Sequence, residues 1–402
     1  MLDIAMDTTS TKLMLITANI GSLFEEDGGT RILEENWLAD FGKSISRLSP
    51  QFIAFHMQEV GGKSSEGCKN LVHNYINNLY DLPMLSDFPT GICYLDEDYI
   101  EERYTAMGVV YLIHESLRDI AMWNFENKTY ESLVPERKIH PNHLETVFKS
   151  KFPLSCFSKK TIRWPRKGFI WSKWKIHNRT FDLVNIHLPH DACNVSACLK
   201  SPSKFVKHRK NALQFCVNKI AEYPSENQFL FGDFNVRPDQ KLLVAHLMQG
   251  MKYCPLERDG EKIPYSLIYK SQDKEEKEVL NIQARRFLFA SYEQFDQAHV
   301  PELLQFDKEL NWCKDGKFAE AAIKFQPTFP TSEDPKEKAY GYNGTRCPSW
   351  CDRVLVDKNL VEELKRSSIK MTYESLGLNT VLGDHKPVFL AFDLPNSTDR
   401  RT

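Results

Sequence analysis

The chain has little net charge of either sign: 52 lysines and arginines stand against 54 aspartates and glutamates, leaving a formal charge of -2 over 402 residues. That balance disfavours a strongly basic nucleic-acid binder, which grips a phosphate backbone with an excess of positive charge. No apolar run approaches the roughly 20 residues of a membrane-spanning helix, so any membrane association is expected to be peripheral. The opening Met1-Leu2-Asp3-Ile4-Ala5-Met6-Asp7 lacks the cationic-then-apolar order of a secretory leader. Ten cysteines at irregular spacing suggest reduced thiols in a cytoplasmic protein, which makes Asn127-Lys128-Thr129 a chance match to a glycosylation signal. No Pro/Gly/Ser-rich linker and no internal repeat divides the chain. The expectation is one large domain over residues 1–395 and a flexible tail over 396–402.

What is present is ample core material, 42% hydrophobic with 12% aromatic, arranged in alternating strand and helix patterns. Lys12 to Ala18 and Phe52 to Met57 read as buried strands, with an amphipathic helix over Leu33 to Leu48 between them. Thr105 to His114, Lys167 to Ile176, Phe181 to Ile186, Gln228 to Phe231, Val354 to Val356 and Val388 to Phe392 are further strands, and Phe205 to Ile220 a helix. The class is α/β. Asp273 to Glu278 and Glu333 to Lys338 are charge-dense and read as solvated loops or helix faces. Met122 to Lys160 reads as a long irregular stretch with no assigned role.

Polar groups collect where apolar runs end. Gly232-Asp233-Phe234-Asn235 follows one strand, Pro348-Ser349-Trp350-Cys351-Asp352-Arg353 precedes another, and Gly383-Asp384-His385 precedes a third. Hydrolysis of a phosphate ester needs a divalent cation, an activated water and fixed polar groups that stabilise the transition state. Asp233, Asn235, Asp352, Asp384 and His385 suit those tasks, and strand ends let side chains converge while the sheet holds their backbone. Taken singly, each has a bland alternative: Asp-x-Asn turns are common, and a lone glutamate such as Glu59 after a strand is usually a surface residue.

Taken together, the three motifs resemble those of the inositol polyphosphate 5-phosphatases, a branch of the endonuclease/exonuclease/phosphatase superfamily. His187-Leu188-Pro189-His190 and Thr345-Arg346-Cys347-Pro348 resemble the type I branch, which acts on soluble inositol phosphates. The resemblance extends from Asn19 to Val388. It implies a DNase I-like four-layer sandwich, two packed mixed β-sheets flanked by helices.

Carried over residue by residue, the resemblance makes Glu59 and Asn19 ligands of Mg²⁺, a cation that prefers oxygen donors and keeps several waters. Asp233 would orient or deprotonate the attacking water. Asn235, His187 and His385 would contact the scissile phosphate, with Asp352 orienting and charging His385 and Asp384 supporting the metal or water network. His190 would reinforce His187 or bridge to the inositol ring. Arg346 would grip the neighbouring phosphate, and Lys167, beside Arg166, a more distant one. Arg353 reads as a structural ion-pair partner. His187 and His190 near Cys193 and Cys198 fit no common zinc spacing. Cys347 and Cys351 read as packing thiols, so water is expected to attack directly.

The clusters Lys159, Lys160, Arg163, Arg166, Lys167, Lys173, Lys175 and Lys204, Lys207, His208, Arg209, Lys210 are candidate phosphate-attracting surfaces or merely solvated faces. Two departures stand out. Phe329 and Pro330 occupy the place of a tyrosine and lysine found in many relatives, leaving Lys338 or Tyr340 as substitutes. The terminal prenylation box of type I relatives is replaced by Asp399-Arg400-Arg401-Thr402; a longer natural chain would be lipid-tethered at the inner face of the plasma membrane.

The implied reaction is Mg²⁺-dependent removal of the 5-phosphate from inositol 1,4,5-trisphosphate and inositol 1,3,4,5-tetrakisphosphate, ending a calcium signal. Competing readings are a lipid 5-phosphatase, an endonuclease of the same superfamily, and a non-catalytic inositol phosphate binder. The intact Glu59, Asp233, Asn235, Asp352 and His385 argue against the last.

Overall fold

The structure, a computed structural model, describes residues 10–25, 30–157, 166–260, 263–334 and 340–396. In chain order the strands begin with β1 (Ser10–Asn19), β2 (Phe52–Gln58), β3 (Thr90–Leu95), β4 (Met107–Ile113), β5 (Ile120–Asn124), β6 (Thr129–Ser132) and β7 (Arg137–Pro141). They continue with β8 (Val147–Lys151), β9 (Gly168–Ile176), β10 (Arg179–His187), β11 (Asn227–Asp233), β12 (Lys252–Leu256), β13 (Ser266–Lys270), β14 (Glu278–Gln283) and β15 (Arg286–Phe289). The last are β16 (Phe318–Glu320), β17 (Asp352–Asp357), β18 (Thr372–Ser375) and β19 (Val388–Pro395).

One mixed sheet has the order β18-β19-β1-β2-β4-β3-β7 and the other β16-β17-β11-β10-β9-β5-β6, with β8 also paired to β9. Alternation along each central strand decides what each face meets. Leu13 and Leu15 of β1 face Phe181, Leu183, Phe229 and Phe231 across the core between the sheets. Met14 and Ile16 face the opposite way, against Trp37 and Phe41 of the helix Thr30–Leu48 and Tyr75 and Ile76 of the helix Lys69–Tyr80. Val184, Ile186 and Leu230 of the second sheet pack on Ala212, Leu213 and Cys216 of the helix Val206–Ile220. Helix, sheet, sheet, helix makes the four-layer α/β sandwich expected from the motifs.

Met122 to Lys160 is not irregular over its described part: the end of β5, then β6, β7 and β8 occupy Met122 to Lys151. These strands are four or five residues long, and β6, β7 and β8 have no fully buried position, so they lack the apolar runs that mark core strands. A small third sheet, β12-β13-β14-β15, packs on the main core through Leu267, Leu280, Ile282, Phe287 and Phe289. Of the charge-dense Asp273 to Glu278, Asp273 to Lys277 lie in its exposed β13–β14 connection, as their composition suggested, while Glu278 opens β14.

Candidate active site

Both sheets bring strand ends to one edge of the sandwich. β1 and β2 run parallel and lead to Asn19 and Glu59, while β10 and β11 run parallel and end at the paired His187 and Asp233. β17 runs antiparallel to β11 and begins at Asp352, opposite Asp233 in register. Asp384 and His385 immediately precede β19, the other neighbour of β1. Gly232 is required here, because a Cβ would stand 1.9 Å from the Ile186 carbonyl oxygen and force β10 and β11 apart beside the site.

Asp233 sits at the centre and is buried. Its carboxylate accepts the Asn235 backbone N–H at 2.8 Å and the Asn235 side-chain amide at 2.8 Å, with the Asn19 amide at 3.4 Å. His187 Nε2 stands 3.3 Å from Asp233 Oδ2 and also touches Lys167 Nζ. Burial alone would raise the Asp233 pKa, but the His187 hydrogen bond and the charges of His385, His187 and Lys167 outweigh it and hold the group well below the usual range. Asp233 is therefore an ionised acceptor throughout the physiological range.

The Asn235 amide also donates to the Leu188 carbonyl at 3.0 Å, so both of its N–H groups are engaged within the protein. The side chain thus holds Asp233, and its Oδ1 accepts Arg237 at 3.2 Å. The backbone of Glu59, Asn235 and Arg166 is left-handed, with φ of 55°, 50° and 64°, strain that only a well-packed surround maintains.

His385 and Asp352 form a buried pair at 2.9 Å between Nδ1 and Oδ2, and Thr328 donates to the same Oδ2 at 2.7 Å. Burial opposes charge on His385, yet Asp352 above all, with Asp384 and Asp233, pushes its pKa up to about 10. An imidazolium at neutral pH results, with the Phe329 ring tilted against it at 4.4 Å between ring centroids. Asp384 accepts the Ser22 hydroxyl at 3.1 Å and, chiefly through burial, is raised to about 6.

Glu59 Oε1 lies 3.7 Å from Lys167 and 3.6 Å from His187. Burial pushes this carboxyl upward, but Lys167, His187 and Arg166 overcome it and hold the pKa at about 2. A Cβ placed on Gly21 would be 3.3 Å from Glu59 Oε2 and 3.4 Å from Asn19 Oδ1, so two oxygens converge on space kept open by a glycine. That all-oxygen pair suits a hard divalent cation. Asp233, Asp352 and His385 also bring one potential ligand atom each within 4.8 Å of one another. Their mixed donors, with Asp352 and His385 already bonded to each other, fit proton and phosphate handling better.

Other expected residues divide. Lys167 is in the cluster, and Arg166 is bonded to the Gly62 carbonyl at 2.6 Å. His190 stands exposed at the rim, facing the charges of Lys167, Arg346 and Arg237. Tyr340 is turned away: it packs on the main core, with its hydroxyl 3.4 Å from the Gln326 carbonyl. Lys338, Lys159, Lys160 and Arg163 lie outside the described residues. Lys173 is buried against Asp182, and Arg209 against Asp191 and Glu309, so both are structural cations. Arg353 is likewise buried between Asp307 and Glu320, as expected. The zinc grouping does not form, since Cys198 bonds Gln240 while His187 faces Asp233. Sequence reasoning gave no role to Arg237, which lies over the Phe329 ring at 4.7 Å, nor to Ser22 and Thr328. Arg237 alone carried a signal, two residues after Asn235.

Comparison with known proteins adds independent findings. The Endonuclease/Exonuclease/phosphatase family 2 model matches residues 269–391. Inositol polyphosphate-5-phosphatase A of Homo sapiens is 37% identical over 391 residues, covering 95% of this chain and 93% of its own. A Caenorhabditis elegans protein named probable type I inositol 1,4,5-trisphosphate 5-phosphatase is 32% identical over 426 residues, covering 95% and 99%. Among solved structures, the inositol polyphosphate 5-phosphatase domain of SPsynaptojanin, in complex with inositol (1,4)-bisphosphate and calcium ion, is similar with a TM-score of 0.53. Identity there is 12%, with 96% of this chain and 84% of that one covered. A Cimex nitrophorin ferrous NO complex reaches 0.51 at 16% identity, covering 96% and 99%, so the fold by itself does not carry an activity.

Proposed function

This chain belongs to the inositol polyphosphate 5-phosphatase family and is a phosphatase; from that premise we propose that it removes the 5-phosphate of soluble inositol 1,4,5-trisphosphate and 1,3,4,5-tetrakisphosphate with Mg²⁺, terminating a calcium signal in the cytoplasm. Among the described residues none of the ten cysteines forms a disulfide, which agrees with a reducing compartment. The observation that carries the reading is the convergence of an ionised Asp233, a charged His385 and the Glu59–Asn19 oxygens at one edge of the sandwich.

Glu59 and Asn19 would hold Mg²⁺, which when bound neutralises charge on the phosphate oxygens. Asp233, fixed by Asn235 and Asn19, accepts a hydrogen bond from the attacking water and orients it toward phosphorus. His385, charged by Asp352, donates from Nε2 to a phosphate oxygen and stabilises the charge that develops there. Lys167 and His187 supply further positive and polar contacts, and Arg346 and His190 line the rim where the remaining phosphates of the substrate would lie.

The test is phosphate release from soluble inositol 1,4,5-trisphosphate and from its lipid counterpart, with Mg²⁺ or with EDTA. Asp233→Ala and His385→Ala are compared with the wild type. Mg²⁺-dependent release from the soluble substrate, at least about 100-fold lower in both variants, is expected. Equal or faster release from lipid would move the substrate to phosphoinositides, and release undiminished in both variants would overturn the assignment of the site.

A further inference from the structure

The third sheet reaches the rim of the site through one turn. β14 and β15 pair up to Gln283 opposite Arg286, which leaves Ala284 and Arg285 as a two-residue hairpin tip. The Ala284 carbonyl accepts the Asn194 backbone N–H at 3.1 Å, and the Asn194 side chain donates to the Thr345 carbonyl at 3.0 Å. Phe287 N–H bonds the Gly344 carbonyl at 2.7 Å. The tip is thus clamped between the segment that follows His190 and the segment that carries Arg346.

Gly344 is itself in the left-handed region, with φ of 67°, and a Cβ there would meet Leu288 at 3.0 Å, so the two segments are packed closely. Asn194 and Phe287 are buried, whereas Arg285 is exposed. A rigid base with an exposed cation at its tip is a means of presenting charge. Among the described residues neither Arg285 nor Arg346 forms an ion pair with a carboxylate, although most of the other site cations have one nearby. Burial disfavours the charge on Arg346, and Arg237 and then Arg285 oppose it further, while Asp191 favours it. The acid that faces them, Asp191, is already paired with Arg209 at 2.5 Å, so three guanidinium groups near one another share one committed carboxylate and form a place where a polyanion relieves repulsion.

We propose that Arg285 is a specificity-determining residue, which together with Arg346 grips a phosphate of the soluble substrate other than the one hydrolysed. This inference rests on the reading of the site as an inositol polyphosphate 5-phosphatase. The hairpin therefore extends the substrate platform from the main sandwich onto the third sheet. Because the tip contacts no reacting atom, its contribution is uniform binding: it lowers KM and leaves kcat unchanged.

The experiment measures kcat and KM for phosphate release from soluble inositol 1,4,5-trisphosphate, and from its lipid counterpart in vesicles, in the full chain. Wild type is compared with Arg285→Ala, Arg285→Lys and Arg286→Ala, and binding of inositol 1,4-bisphosphate is followed by calorimetry. Arg285→Ala is expected to raise KM and the bisphosphate dissociation constant about tenfold at unchanged kcat and melting temperature, with most of the loss recovered by lysine. Arg286→Ala removes the same charge from the same hairpin and is expected to change KM less than twofold. An active enzyme whose KM is unaffected by Arg285→Ala, or is raised equally by Arg286→Ala, would overturn the inference while leaving the function intact. An effect confined to the lipid substrate in vesicles would overturn the soluble assignment. A wild type inactive on every inositol polyphosphate would remove the underlying reading instead.

Discussion

At the scale of single residues, the charge on His385 depends on one neighbour more than on any other. Burial favours the neutral ring, and the Asp352 carboxylate at 2.9 Å reverses that preference and lifts the pKa to about 10. Asp352→Asn keeps the shape and removes the charge, so burial then prevails and the ring becomes neutral near or below pH 6.5. The expected result is an alkaline limb of kcat/KM that moves from near pH 10 down to pH 6–7 or lower, with activity at pH 7.5 reduced about tenfold or more. A pH–rate profile together with an NMR titration of His385 checks this, and superimposable profiles would refute it. The sign for stability follows from the same pair. The folded pKa lies above the unfolded one, so the stabilisation is complete below pH 6.5 and is lost as pH rises toward 10.

At the scale of elements, the turn that leaves β1 determines whether two oxygens can face a common cation. Gly21 adopts a backbone open to alanine, but a Cβ would stand 3.2 Å from Glu59 Cβ and 3.3 Å from Glu59 Oε2. Gly21→Ala should therefore fold normally yet displace the carboxylate by a few tenths of an ångström, raising the Mg²⁺ concentration for half-maximal activity about tenfold. A Mg²⁺ titration beside a melting curve reads both, and an unchanged Mg²⁺ requirement would remove Glu59 and Asn19 as the cation's ligands. Legibility also differed by element. β1, β2, β10, β11 and β17 are largely buried on both faces and appear in the sequence as mainly apolar runs, so their ends located Asn19, Glu59, His187, Asp233 and Asp352. β6, β7 and β8 carry Glu131, Arg137, Lys149 and Lys151 on half-exposed faces and look like loop. Arg285 was illegible for a different reason: it reaches the rim only because a hairpin distant in sequence docks there.

At the scale of the whole molecule, the site is divided between the sheets, with Asn19, Glu59 and His385 on one and His187, Asp233 and Asp352 on the other. Catalysis then requires the sheets to keep their relative position, and apolar packing alone specifies such a position loosely. A buried polar bridge fixes it. Asn185 on β10 donates to the Met57 carbonyl at 3.0 Å and the Gly108 carbonyl at 2.9 Å, and accepts Gln58 at 2.7 Å. His56, also on the first sheet, stacks on Phe231 of the second at 3.6 Å. No motif announces Asn185, because an asparagine inside a strand has a meaning only once its partners across the interface are known. Asn185→Ala would leave several buried polar groups unpaired at a cost of about 1–3 kcal/mol each, and would let the sheets shift. Leu213→Ala, in the outer helix layer, should cost about 2–5 kcal/mol without touching the interface between sheets. At a temperature where both variants remain folded, kcat should fall about tenfold or more for Asn185→Ala and stay within about twofold of wild type for Leu213→Ala. Urea unfolding would match the two in stability, and equal kcat in the matched pair would show that the bridge stabilises the sandwich without aligning its site.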